Sequence, residues 1–158
     1  MECSFGELTG AYRRGLKFLI DAADYQKYIK GYSFCLDPGG YVMYSSRKDG
    51  LTGKYLARVL FGEPDDMDVD HKNLNKLDNR RENLRIATRG QNNCNKTKYK
   101  NNTSGFKGVS FHKKAQKYRA RISIDGKQKF LGYFVTAEAA HQAYKQAAIQ
   151  HHGEFARY

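Results

Sequence analysis

The stretch Tyr118 to Ile124 alternates strictly: Tyr118, Ala120, Ile122 and Ile124 on one face, Arg119, Arg121 and Ser123 on the other. Period-two alternation of this kind specifies a half-buried strand. Asp125-Gly126 follows, a dipeptide suited to a two-residue hairpin turn, and Gln128 to Phe134 supplies the partner strand. Lys107 to His112 reads as a further strand. Thr136 then caps an alanine-rich helix with Ala140, Ala143, Tyr144, Ala147, Ala148 and His151 at helical spacing. Small alanines let that helix approach a sheet closely. The chain's end is thus expected to be an antiparallel sheet packed on one helix.

Charge sets this half apart. Residues 1–94 carry 15 Lys/Arg and 13 Asp/Glu, whereas residues 95–158 carry 13 Lys/Arg and only 3 acids. A basic module beside a near-neutral one implies a polyanionic partner, with nucleic acid ahead of a membrane surface because the basic residues do not gather on one face of an amphipathic helix. No apolar run approaches the roughly 18 residues of a membrane span; Leu16 to Ile20 is interrupted by Lys17. The N-terminus lacks the ordered regions of a secretory signal. A soluble, cytoplasmic protein is expected. Cys3, Cys35 and Cys94 form no CxxC pair and are odd in number, so neither a usual zinc site nor a disulfide framework is expected.

The first half reads as smaller pieces. Lys17 to Ile20 is a short strand; Asp21 caps a helix with Tyr25, Tyr28 and Ile29 on its apolar side. Tyr32 to Leu36 and Tyr41 to Tyr44 form a hairpin around Asp37-Pro38-Gly39-Gly40. Residues 45–53 read as a loop, and Lys54 to Phe61 as a helix stopped by Gly62 and Pro64. Lys48, Lys54 and Arg58 are open to a DNA-backbone or a solvated reading.

Met67 to His71 reads as a strand ending in Asp70 and His71, followed by a polar loop, a second strand Leu84 to Ala87, and a helix opened by the capping box Thr88 to Gln91. That helix carries Asn92. Asp70 and Asn92 are hard oxygen donors of the magnesium type, and His71 titrates near neutrality, as a general base should. An amide or carbonyl oxygen at Nδ1 would fix its tautomer, and Asn83 is placed to offer one. This is the chemistry of phosphodiester hydrolysis.

The segments Val69 to Asn73, Asn79 to Arg85 and Asn92-Asn93, with Asn83 12 and Asn92 21 residues after His71, resemble the His-Asn-His (HNH) homing endonucleases of phages and mobile introns. The resemblance implies an α+β chain with a ββα-metal core. In it Asp70 and Asn92 hold one divalent ion, Mg2+ or Mn2+, His71 is the base and Asn83 orients it; Asn79 and Asn93 remain alternatives to Asn83 and Asn92. Arg80, Arg81, Arg85 and Arg89 either contact the cleaved strand or pair with Asp78 and Glu82.

Residues 104–158 resemble the plant ethylene-response-factor (AP-two) DNA-binding domain through Ser104 to Val109, Tyr118 to Ile122, Phe130 to Phe134, Thr136 to Ala140, Ala143-Tyr144 and His152 to Arg157. That family has a three-stranded sheet on one helix, with the outer sheet face in the major groove. Lys107, Arg119, Arg121, Lys127, Lys129 and Phe130 are the expected DNA contacts. The chain has no Trp; Tyr118 and Phe130 stand where plant members place it, so base specificity does not carry over.

The expected organisation is an N-terminal segment over 1–62 packing on the core, the nuclease motif over 63–94, a basic linker over 95–103 and the DNA-binding domain over 104–158. The implied activity is cleavage, as nicking, of double-stranded DNA, by a monomer or weak homodimer of phage or bacterial setting, with no membrane and no small-molecule substrate. A non-catalytic DNA-binding regulator is the alternative.

Overall fold

A computed structural model describes residues 3–7, 15–28, 32–46 and 51–158. The chain divides into two compact units, residues 1–88 and 89–158. It is a mixed α+β protein built from small antiparallel sheets.

In the first unit, β1 (Cys3–Glu7) pairs antiparallel with β2 (Lys17–Asp21). Helix α1 (Ala22–Tyr28) follows at once; Ile29, expected on its apolar side, lies outside the described residues. Strands β3 (Ser33–Leu36), β4 (Val42–Ser46) and β5 (Leu51–Tyr55) form a meander. The Asp37 to Gly40 turn is closed by Gly40 N donating to Asp37 O at 2.9 Å and by Tyr41 N donating to Asp37 Oδ1 at 2.7 Å. The expected loop over 45–53 is therefore a correction: its ends belong to β4 and β5, which pair with an irregular register between Tyr44 and Ser46. Polar Ser and Thr, with a glycine, hid a strand that the neighbouring strand's backbone specifies; residues 47–50, Lys48 among them, lie outside the described residues.

Helix α2 (Leu56–Leu60) is shorter than expected. Phe61 and Gly62 donate back to Arg58 O and Val59 O at 3.1 Å. Strands β6 (Asp68–His71) and β7 (Leu84–Ala87) form an antiparallel pair. One apolar core joins these pieces: Phe18 and Ile20 of β2, Phe34, Val42 and Tyr44 of the meander, Leu56 and Leu60 of α2, and Leu84 of β7. Phe18 packs on Phe34 with ring centroids 5.1 Å apart. Burying aromatic and aliphatic side chains together is the main stabilising contribution here.

The second unit begins with α3 (Arg89–Asn95). The first residue assigned by sequence to the linker, Asn95, is the buried end of this helix, and its Oδ1 accepts from Arg157 Nε at 3.0 Å. Within 96–104, Asn102 Nδ2 donates to Phe106 O and Ser104 Oγ to Val109 O, both at 2.8 Å. Strands β8 (Val109–His112), β9 (Lys117–Ile124) and β10 (Lys127–Phe134) form an antiparallel sheet with β9 central. Helix α4 (Ala137–His152) is capped by Thr136, whose Oγ1 accepts from Ala139 N at 3.1 Å. Its Ala140, Tyr144, Ala147 and Ala148 pack on Val109, Ala120 and Ile122. The alternation read from the sequence thus faces the helix as expected. Among the described residues no helix is long and apolar enough to cross a membrane.

A bulge in β10 was not expected. Phe130 lies opposite Arg121, but Gly132 lies opposite Ala120 and Tyr133 opposite Arg119, so the register slips at Leu131. A bulge of this kind re-aims the side chains beyond it. Leu131 turns to the core, while Phe130 and Tyr133 share the exposed outer face, rings 5.0 Å apart.

Candidate active site

Strand β6 ends on two buried polar residues, Asp70 (4% exposed) and His71 (5%). Antiparallel register sets Asp70 opposite Arg85 of β7 and His71 opposite Leu84. The cross-strand pair is an ion pair: Arg85 Nε and Nη2 donate to Asp70 Oδ2 at 2.9 and 2.8 Å. A buried carboxylate needs such a partner.

His71 Nε2 lies 3.3 Å from Asn79 Oδ1. Asn79 is 1% exposed, and its Nδ2 donates to Lys76 O at 3.3 Å. That second contact fixes which end of the amide meets the ring, so Nε2 is the donor and Nδ1 carries the lone pair. The amide on the imidazole therefore belongs to Asn79, the alternative left open by the sequence, and it meets Nε2 rather than Nδ1. Burial pushes the His71 pKa below the ordinary value of 6.5; the Asn79 contact, Asp70 and Asp78 oppose this more weakly, and Lys76 adds to it.

Asn83, expected to orient the base, spans the loop instead. Its Nδ2 donates to Asp78 O at 2.7 Å and its Oδ1 accepts from Asn73 N at 3.0 Å. Lys72 N donates to Asn83 O at 2.8 Å. Asn73 Nδ2 donates to Asp78 Oδ2 at 2.9 Å, and Asn73 and Asn75 close short turns on the backbone of Asn75 and Leu77. Sequence spacing could not tell the asparagine that holds the loop from the one that faces the ring, since both are asparagines a few residues apart.

The loop is also held from β2. Leu19 N donates to Leu77 O at 2.7 Å, and Asn79 N donates to Leu19 O at 2.8 Å. These bonds set Asn79 at its place beside His71. Leu19 acts here through its backbone alone, so its part in the site carried no signal in the sequence.

Arg80, Arg81 and Lys54 are engaged with acids. Arg80 forms a fork on Asp78, with Nε and Nη2 each at 2.8 Å, and reaches Glu82 at 2.6 Å. These contacts hold Asp78 below its ordinary pKa. Arg81 grips Asp24 at 2.7 and 2.9 Å, and its backbone N donates to Asp21 Oδ2 at 2.8 Å. Asp21 thus does more than begin α1. Lys54 pairs with Glu63 at 2.8 Å, and Arg58 donates to Met67 O and Pro64 O at 2.8 and 2.6 Å, holding the approach to β6. Arg89 is exposed in α3, Asn92 half-buried and Asn93 exposed, all within the second unit.

On the second unit's sheet, Arg119 and Arg121 occupy the face away from α4. Arg119 Nη2 donates to Ser110 Oγ at 3.4 Å, while its Nε is buried without a partner. The exposed Phe130 sits on this face, and so do Tyr133 and His112, 5.1 Å apart, which the sequence reading did not single out. Lys127 and Lys129 are exposed but in register with Ile124 and Ile122, residues of the helix-facing side. Lys107 is half-buried and donates to Cys94 O at 2.6 Å; burial, aided by Arg157, pushes its pKa down to about 8, against the influence of Cys94.

The family model described as HNH endonuclease matches residues 59–94, from the end of α2 through β6 and β7 to all of α3 but Asn95. The chain is 32% identical over 141 residues to the protein named Uncharacterized HNH endonuclease L560 of Acanthamoeba polyphaga mimivirus, covering 88% of this chain and 73% of that protein. It is 33% identical over 90 residues to Protein 3.8 of Escherichia phage T7, covering 57% of this chain and 74% of that protein. No solved structure matches it. A buried acid–histidine pair at a strand end, lying in the matched span, belongs with nucleases as a class. The chain is a member of the HNH endonuclease family.

Proposed function

We propose that the protein is a metal-dependent DNA endonuclease of the homing type that nicks double-stranded DNA. The observation that carries this reading is the buried His71 beside Asp70 at the end of β6, hydrogen-bonded through Nε2 to Asn79. His71 Nδ1 takes the proton from the attacking water. Asn79 holds the ring, and Asn83 holds the loop that presents Asn79.

The chemistry of Asp70 suits a hard divalent ion such as Mg2+: it would supply one carboxylate oxygen, with the remaining positions left to neutral oxygen ligands, water and phosphate. Among the described residues no three His, Cys, Asp or Glu side chains gather into a metal cluster. When bound, the ion supplies charge stabilisation at the phosphate and the leaving 3′ oxygen. Asp70 would hold such an ion, and Arg85, its ion-pair partner here, would be a phosphate ligand if freed from the carboxylate.

The domain reading keeps the segment 1–62, the nuclease motif 63–94, the connection 95–103 and an AP-two-like module over 104–158. It is supported by the sheet packed on one helix and by the Arg119, Arg121 and Phe130 face, with Lys107, Lys127, Lys129 and Arg89 as flanking phosphate contacts. The experiment is incubation with supercoiled plasmid, with Mg2+ and with EDTA, alongside His71→Ala. Relaxed circles are expected only for the wild type with metal. Absence of cleavage across Mg2+ and Mn2+, with DNA binding retained, would leave a DNA-binding regulator.

A further inference from the structure

The meander brings an aromatic pair to the edge of this site. Tyr41 and Tyr55 pack edge-to-face with centroids 6.1 Å apart, and both keep exposed ring, 37% and 39%. The Tyr41 ring lies 5.9 Å from that of His71. Lys76 Nζ sits 4.2 Å above the Tyr41 ring and donates to Gly39 O at 2.6 Å. Asp37 fixes the pair from below: its Oδ2 accepts from Tyr55 Oη at 3.2 Å and its Oδ1 from Tyr41 N. None of these aromatic groups is needed to take a proton from water, and both rings present open π-faces or edges beside the proposed centre.

We propose that Tyr41, braced by Tyr55 and overlaid by Lys76, is a stacking shelf for a nucleobase of the cleaved strand next to the scissile phosphate. The inference rests on Asp70 and His71 being the cleavage centre. An exposed cation–π contact is worth roughly two- to fivefold in an equilibrium, whereas a base stacked on an aromatic ring is worth roughly five- to hundredfold. A base therefore displaces the Lys76 ammonium, which turns to the adjoining phosphate. Burial and the neighbouring Asp37, Asp70 and Asp68 raise the Tyr41 pKa, and hydrogen bonding to Asp37 raises that of Tyr55, so both rings meet DNA as neutral phenols. A shelf for a base requires that base to leave its stack, so the preferred substrate is locally unpaired or readily opened at the cut.

The chain has no Trp, which makes Tyr41→Trp a single fluorescent reporter. The full-length variant is titrated in EDTA with an oligodeoxyadenylate and with an abasic oligomer of equal length and charge. Saturable loss of the indole emission with the oligodeoxyadenylate alone is the expected result, and Tyr41→Ala should bind it roughly tenfold more weakly. Equal, unchanged emission with both polymers, while anisotropy reports binding, would overturn the proposal. Should Tyr41→Trp lose its fold, wild-type protein crosslinked to an iodouracil-bearing strand serves instead: an adduct on Tyr41 supports the shelf, and adducts elsewhere only overturn it. The titration needs no cleavage. A stacking signal without nicking removes the nuclease reading alone, and nicking without the signal removes the shelf alone.

Discussion

Replacing Asn83 by alanine separates a loop clamp from a catalytic group. The substitution removes two hydrogen bonds, to Asp78 O and from Asn73 N, at a position with only 6% exposure. Each such bond contributes about 1 kcal/mol net, and leaving buried partners unsatisfied costs about 1 kcal/mol more, for a loss of about 3 kcal/mol. In a unit of this size each kcal/mol lowers the melting temperature by about 5 °C, so the metal-free chain should melt about 15 °C lower. Asn83→Asp does not rescue it: one oxygen still accepts from Asn73 N, but the other replaces the donor that faced the Asp78 carbonyl. The assay is thermal unfolding of the full chain by circular dichroism in EDTA. A midpoint within about 3 °C of wild type, together with lost cleavage, would refute the clamp and return Asn83 to the chemistry.

Arg85→Met frees Asp70 from its guanidinium; the metal-free chain should be less stable, and added Mg2+ should raise the melting temperature by more than it does in wild type. An unchanged Mg2+ increment would place the ion elsewhere. Gly108 has φ of +73°, and a Cβ there would lie 2.2 Å from Tyr144 Cδ2 and 2.8 Å from Arg121 O, so Gly108→Ala should unfold the second unit, seen as lost DNA binding with a broadened unfolding transition. Lys107, with a folded pKa near 8 against 10.5 in the unfolded chain, is bound by fewer protons when folded over that window. Stability should therefore rise with pH between about 8 and 10.5, and urea midpoints of Lys107→Met should show a weaker rise there.

Legibility followed the range of the interactions. The β9 alternation, the Asp125-Gly126 turn and the Thr136 cap are local, and each element formed where its residues placed it. The bulge at Leu131 was hidden because a one-residue slip has no composition of its own; it shows only when the two strands are set side by side. Strand β5 was hidden for a related reason, since the place of Leu51 to Tyr55 shows only in its pairing with β4. At the candidate site, Asp70 and His71 stood out as residue types at a strand end. The division of labour between Asn79 and Asn83 did not, because it depends on which way each amide points within one loop.

The bonds between Leu19 and the Leu77 to Asn79 loop join positions almost sixty residues apart. Closing a loop of that length costs entropy that only a formed core offsets. The matched span 59–94 contains Asp70, His71 and Asn79 but not Leu19. Cut out alone, it would keep every polar side chain of the proposed centre and lose the strand that sets Asn79 against the ring. Competence then depends on a contact distant in sequence: Asn79 is held against the histidine only when Leu19 of β2 is bonded to its loop. A fragment of the chain, or a misfolded copy, would carry the residues for cutting DNA without their alignment.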